Sequence, residues 1–596
     1  MKLTKRGFLI SLALGAAVTV AAACGSDKDE ESKSSTSGAA TSAANVERTV
    51  APTTGYAPAA KEQQTFTVAY PAQPDFLDPH KSQFSQDISI ERWLYRGLFG
   101  TDEKGEVIPA VAKEVPTQQN GGISADGKTL KITLKDGQKW SDGSPLTAKD
   151  FEYSLKRAMS PKIASPYFDE LGNIVGAQDY NTALGTEKSP KTPSADDLAK
   201  LRDAIGVKAL DDKTLQITLV QPQPTITIKL GLWVSFPVKQ AAVEQGGAAI
   251  ENTAWSTAPG RQVGNGPFVL KEYKEKDRII LEPNPNYTLD PKPKLNRIEL
   301  RIIDDDETRF QTFQTGETMY SAVPTSKIPL VDGDPNLKKQ NIRGPDPTVF
   351  WLEFMAADPA LKDARVRQAM AKAVDRDAFV KVVLGGVGES TTLFMHSSDP
   401  GQNKSDGDSL KYDPAAAKKL LADAGFANGQ GFPALSMITT QATVSLNSAQ
   451  FVQQQLKENL GITVNLEVLD SKTRSSRYSN SQFQLAIGGW HEDYHDPENW
   501  LPTLLATGAS NNQFKYSNPK FDDLVKQAQF EQNNEKRLSL YAQANKIALE
   551  DAAVGPIYQR VRNAVVAPKV KNLTPAPQDS AFSGDFLIDR VEIAKE

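Results

Sequence analysis

The 596-residue chain contains one cysteine, Cys24, at the end of an apolar leader. No internal disulfide is available, so whatever folds must be held by apolar cores and hydrogen bonds alone. The leader begins with Lys2, Lys5 and Arg6, runs through apolar residues from Phe8 to Val20 and ends in small residues before Cys24. This is the three-part layout of a secretory signal, assigned to residues 1–23. Its apolar run is short for a helix crossing about 30 Å of hydrocarbon, and no later segment is long and apolar enough to do so. The chain is expected to be exported, with no other membrane span.

The placement of Cys24 directly after "VAAA" resembles the lipobox of bacterial lipoproteins. That resemblance implies lipidation of Cys24 and attachment to the extracytoplasmic face of a bacterial cell membrane through the lipid alone. The stretch 24–61 is rich in Ser, Ala, Thr and Gly and almost free of large apolar side chains. It cannot bury enough surface to fold and reads as a tether. The remainder is longer than one core usually supports, so two or more domains are expected. A net charge of −5 gives no reason to expect nucleic acid as a partner.

Folded structure is predicted from "QTFTVAY", where Phe66, Val68 and Tyr70 alternate as in a half-buried strand. Leu130, Ile132 and Leu134 predict a second strand, and Leu215, Ile217 and Leu219 a third. Thr147 caps a helix that presents Phe151, Leu155 and Ala158 on one face. Asp413 as N-cap, Pro414 at the first helical position and Gly425 after the end delimit another. The C-terminal half alternates helices with the strands "ITVNLEVLD" and "FQLAIGG", the pattern of an α/β lobe.

One stretch invites a catalytic reading. "GGWHEDYHDPENW" places His491 and His495 four apart with Glu492 after the first, the spacing by which a zinc peptidase sets two ligands and a general base on one helix face. The surroundings disfavour that helix: a strand is predicted to end just before His491, Gly488 and Gly489 are poor helix interior, and Pro497 disfavours α conformation at Asp496. No catalytic cysteine, nucleophile elbow or phosphate loop accompanies it. Neither an enzyme nor a resident metal or cofactor is expected.

"DFLDPHKS", "RGLFG", "KWSDGSPLTAKDFEYSLKRAMSPKIASPY", "GVKALDDKTLQITL", "NGPFVL", "ARVRQAMAKAVDR", "YDPAAAKKLLADAGF" and "WHEDYHDPENWL" occur in this order. Together they resemble the peptide, oligopeptide and dipeptide class, family 5, of ABC-transporter extracellular solute-binding proteins. The resemblance implies two α/β lobes of the periplasmic-binding-protein type (type II, large cluster), with an extra subdomain on the first, closing over ligand. Carried onto this chain, lobe I takes residues 62–98, 247–345 and 564–596, the extra subdomain 99–246 and lobe II 346–563. A monomer that delivers a small ligand, a peptide, to an ABC permease is implied. The same role for a sugar, opine or metal chelate stays open.

Trp490, Asp493, Tyr494 and Pro497 fall in register with the family's W-x-A-D-Y-x-x-P segment, with Glu492 where alanine is common. The resemblance assigns Asp493 to a ligand ammonium group, and Gly489 and His491 to backbone contacts with an extended ligand. It further implies Gln83, Ser85, Tyr167, Asn265 and Trp351 as cleft residues. Ile487 and Tyr478 stand where some relatives carry arginines for a ligand carboxylate, with Arg477 nearby but shifted.

Overall fold

The computed structural model describes residues 55–186 and 189–595. The expected signal peptide, Cys24 and most of the expected tether lie outside the described residues. The tether's predicted end at residue 61 needs correction. Pro58 already bridges to Ala594, the Ala59 N–H donates to the Ile593 carbonyl at 2.9 Å, and Tyr56 donates to Glu592. An aromatic ring and a run of backbone partners dock this segment against the C-terminus, where composition alone predicted no structure.

The strand Thr65–Tyr70 runs parallel to Arg297–Ile302, which continues antiparallel into Arg278–Pro283 and Phe268–Lys274. Contrary to the half-buried expectation, every residue from Phe66 to Tyr70 is buried, because both faces of this strand are covered. A three-stranded sheet of Thr129–Thr133, Thr214–Thr218 and Val207–Ala209 holds the two predicted alternating strands. Their inward residues, with Phe151 and Trp233, merge into one apolar core with Phe66, Trp93 and Leu300. Beside this sheet, Thr147 and Asp150 close a capping box at the start of Ala148–Ala158.

A second core gathers Trp351, Phe379, Leu456, Trp500 and Tyr541 around a seven-stranded sheet. Its strands run in the order Tyr320–Ala322, Val554–Val566, Asn341–Phe354, Leu485–His491, Leu435–Thr440 and Val464–Leu469, with Glu389–Ser390 on the flank of Val554–Val566. The half-buried Trp490 packs against both cores. The molecule is thus a two-lobe α/β protein with an aromatic ring between the lobes.

Two long antiparallel strands, Asn341–Phe354 and Val554–Val566, join the lobes. Their register shifts between Pro345 and Val349, where Pro345 and Pro347 have no N–H to give to the ladder. Asp346 sits in this break, 2.7 Å from Arg560 and 3.1 Å from Arg562. These guanidiniums outweigh burial and hold its carboxyl well below the usual carboxylate range. The joint between lobes is therefore a ladder interruption stapled by a buried ion pair.

Candidate ligand-binding site

Leu435–Thr440, Val464–Leu469 and the start of Leu485–His491 are parallel neighbours. In an open α/β sheet the crevice for ligands lies outside the carboxyl ends of such strands. A cavity of about 590 Å³ occupies that place, within the range of small-ligand sites. Thr439, Thr440, Val444 and Ser448 line one wall, and Gln83, Phe84, Ser85 and Tyr167 of the other lobe face them.

The strand Leu485–His491 supplies the floor and carries its own logic. Along one edge it pairs over its whole length with Thr348–Phe354. Along the other, among the described residues, only Leu485 and Ala486 are paired, with Met437 and Ile438. From Gly488 to His491 this edge has no strand partner among the described residues and faces the cavity. Arg474 Nη2 donates to the Ile487 carbonyl at 3.0 Å, which shows that this carbonyl points outward. By the two-residue period of a strand, the backbone groups of Gly489 and His491 point the same way.

Glycine is required in this floor. A Cβ on Gly488 would lie 1.9 Å from Glu353 Oε1, and one on Gly489 would lie 2.6 Å from the Phe350 ring. The strand therefore does not end at these glycines, as the sequence suggested, but runs through them to His491. His491 consequently lies on a strand, with Nδ1 3.0 Å from Thr348 Oγ1, while His495 Nδ1 lies 3.1 Å from Glu492 Oε1. The two histidines share no helix face, so the zinc-peptidase arrangement is not formed.

Asp493 faces the cavity and is held by neutral donors. Asn499 Nδ2 donates to its Oδ2 at 3.1 Å and the Tyr167 hydroxyl to its Oδ1 at 3.5 Å. Asn499 Oδ1 in turn accepts from the Asp493 N–H at 2.8 Å and from Trp490 Nε1 at 3.0 Å. Burial pushes the Asp493 carboxyl up to about 7, aided by the charge of Glu170 and opposed by the Asn499 hydrogen bond and Arg92. Tyr167 also stacks on Trp490, with centroids 6.4 Å apart.

The segment carrying Asp493 is tied to the opposite lobe behind the cavity. Lys229 Nζ lies 2.9 Å from Glu170 Oε2 and 2.8 Å from Glu498 Oε1, all three side chains being buried. Tyr494 donates to Glu170 at 3.2 Å. Removing one partner of such a buried cluster would strand a charge, so these contacts fix where Asp493 can stand.

Eight of the nine sequence-expected ligand residues, Gln83, Ser85, Tyr167, Trp351, Gly489, Trp490, His491 and Asp493, line the cavity. Asn265 does not. Its amide accepts from the Arg96 N–H and donates to the Arg96 carbonyl, both at 2.9 Å, clamping backbone away from the cleft. Arg477 is also elsewhere, paired with Glu467 at 2.5 Å.

Sequence reasoning missed Arg474. It lies on the helix Ser471–Ser479 one turn before Tyr478, lines the cavity and sits 4.8 Å from the Tyr478 ring centroid. Helical spacing was the available signal, since residues four apart share a face. Glu353 beneath Gly488 was missed as well. It accepts from Tyr478 at 2.8 Å and Trp351 Nε1 at 3.1 Å, and burial pushes its carboxyl up to about 7.

Comparison with known proteins agrees with this architecture. Residues 106–512 match the family model "Bacterial extracellular solute-binding proteins, family 5 Middle". The oligopeptide-binding protein OppA of Bacillus subtilis is 30% identical over 506 residues, covering 84% of this chain and 88% of that protein. The structure of the murein tripeptide binding protein MppA of Escherichia coli superposes with a TM-score of 0.76 at 28% identity, covering 89% of this chain and 99% of that one. An unliganded open form of MppA gives 0.63 at 28% identity, covering 91% and 99%. The chain belongs to the family 5 bacterial extracellular solute-binding proteins.

Proposed function

We propose that this protein captures short peptides in the cavity between its lobes and delivers them to an ABC importer, without chemically altering them. The observation that carries this reading is the open strand edge from Gly488 to His491 leading to the Asp493 carboxylate. Backbone groups on such an edge bind an extended main chain whatever its side chains. A carboxylate in a confined cavity gains a charge-assisted hydrogen bond to a peptide's α-ammonium. Arg474, which lines the cavity beside the Ile487 carbonyl, offers a cation for carboxylate groups. The names of OppA and MppA point to the same ligand class.

The lobe boundaries implied by the sequence are proposed for this chain, with the docked segment from Tyr56 added to lobe I: lobe I as 62–98, 247–345 and 564–596 together with that segment, the extra subdomain as 99–246, and lobe II as 346–563. The protein works as a monomer, tethered to the outer face of the cell membrane through lipid on Cys24. Among the described residues no helix is long and apolar enough to cross a membrane.

Native mass spectrometry of the purified protein tests the ligand class. Co-purifying masses that fragment as peptides are expected. A sugar, an opine or a metal chelate in their place, together with no calorimetric response to a panel of tri- to pentapeptides, would overturn the peptide reading. For the anchor, the Cys24→Ser protein is expected in the soluble extracytoplasmic fraction, whereas detergent-phase partitioning equal to wild type would contradict lipidation.

A further inference from the structure

Behind the cavity wall, Asp399, Glu492 and His495 bring two carboxylates and an imidazole together, their potential ligand atoms all within 4.8 Å of one another. His495 Nδ1 lies 3.1 Å from Glu492 Oε1 and 3.4 Å from Asp399 Oδ1. The Asp399 side chain is fully buried and that of Glu492 almost so. Neither Asp399 oxygen accepts a hydrogen bond, and Glu492 Oε2 accepts none either.

Two buried carboxylates at such range cannot both ionise without a positive partner, and among the described residues the cation within ion-pair reach of both is a protonated His495, whose Nδ1 leaves both Asp399 oxygens and Glu492 Oε2 without a hydrogen bond. Arg537 does not serve them, because it is held by Asp496 at 2.5 Å and Glu498 at 3.4 Å. His396 turns its Nδ1 to Ser398 Oγ at 2.7 Å, and His491 is engaged by Thr348 and Asp346.

We propose that Asp399, Glu492 and His495 form a binding site for a zinc-class divalent cation, adjoining the ligand cavity and independent of which solute the cavity takes. The spacing fits a metal. Ligand atoms about 2.0–2.1 Å from a tetrahedral zinc stand roughly 3.3 Å apart, close to the separations from His495. One nitrogen and two oxygens suit zinc and its first-row neighbours, whereas calcium takes six to eight oxygens. His495 is half-exposed, with 38% of its side chain accessible, which gives the ion an entry path and leaves room for water as a further ligand.

Both carboxylate ligands stand on anchored backbone. The Asp399 N–H donates to the His396 carbonyl at 3.0 Å, and Gln402 Nε2 donates to the Met395 and His396 carbonyls at 2.8 and 2.7 Å. The Glu492 N–H donates to the Pro347 carbonyl at 3.0 Å. A bound ion would tie the loop bearing Asp399 to the segment whose next residue is Asp493. The alanine common at position 492 in the family could not take part, so the site belongs to this chain's own sequence.

The test uses the untagged mature protein, stripped with chelator and then equilibrated with zinc sulfate, with elemental analysis and calorimetry as readouts. One zinc per chain, a rise in thermal midpoint with zinc and no response to calcium are expected. His495→Ala, an exposed change that leaves the fold intact, should weaken zinc binding at least tenfold, and Asp399→Asn with Glu492→Gln should abolish it. No zinc uptake at tenfold molar excess would show that the pair only shares a proton and overturn the proposal. Uptake of equal affinity in both variants would overturn it too.

Discussion

Glu492 and Asp493 are neighbours in sequence and opposites in environment. Asp493 faces the cavity, where Asn499 and Tyr167 donate to it and no fixed cation touches it. Glu492 faces the protein, where its nearest charged companions are another carboxylate and a histidine. The difference arises where the chain leaves the strand Leu485–His491: the Glu492 N–H still donates to the Pro347 carbonyl, whereas the Asp493 N–H turns to Asn499 Oδ1, and the two consecutive side chains leave in different directions. One face is left waiting for a ligand's charge and the other for a supporting one. Adjacent carboxylates of like composition thus acquire separate roles from geometry alone.

A third carboxylate sharpens that comparison and gives the largest expected effect on stability. Glu353 has two donors and, among the described residues, no ion-pair partner; the charge of nearby Arg474 only partly opposes its burial, and its Oε2 is buried without a hydrogen bond. Because burial raises its carboxyl from 4.5 to about 7, the fold prefers the protonated form. The associated stability is full below about pH 4.5 and is lost as pH rises through 7. Glu353→Gln keeps both accepted bonds and cannot ionise. Denaturant unfolding should show it more stable than wild type by up to about 3 kcal/mol at pH 8, with the difference vanishing near pH 4.5.

The donor side of Asp493 can be broken directly. Asn499 is fully buried and serves Trp490, the Asp493 backbone and the Asp493 carboxylate at once. Asn499→Ala should cost about 1–3 kcal/mol in unfolding free energy and weaken ligand binding by loosening both groups. Stability and affinity equal to wild type would show that Asp493 needs no such support. A smaller effect is expected at Arg474. Arg474→Gln should lower affinity for peptides with a free carboxylate by about tenfold, near 1.4 kcal/mol, and leave the affinity for their amides unchanged.

Much of this molecule was readable before its structure. Helix starts were legible because capping is local: the Asp413 side chain accepts from the Ala416 N–H at 2.9 Å, with Pro414 behind it. The strands Thr129–Thr133 and Thr214–Thr218 were legible from alternation, one face being buried. What escaped depended on partners distant in sequence. Gly488 and Gly489 looked like a strand's end because the groups that demand them, Glu353 and Phe350, come from the neighbouring strand. Arg474 was overlooked because attention fell on Arg477, three residues along the same helix, which points to Glu467. Asn265 drew notice as a motif residue, yet its amide is spent on Arg96.

The central claim is that Asp493 pairs with a ligand ammonium, and a double-mutant cycle by calorimetry tests it most directly. Wild type and Asp493→Ala are each titrated with one peptide in free and N-acetylated form, so that the coupling energy isolates the pair. Loss of the carboxylate should leave the fold intact and cost about 2–5 kcal/mol in binding the free peptide, because the ammonium is left buried and unpaired. Acetylation should weaken binding to wild type and matter far less to the variant. Additive losses, with no coupling between Asp493 and the amine, would contradict the account and leave Asp493 as a structural residue of the cavity wall.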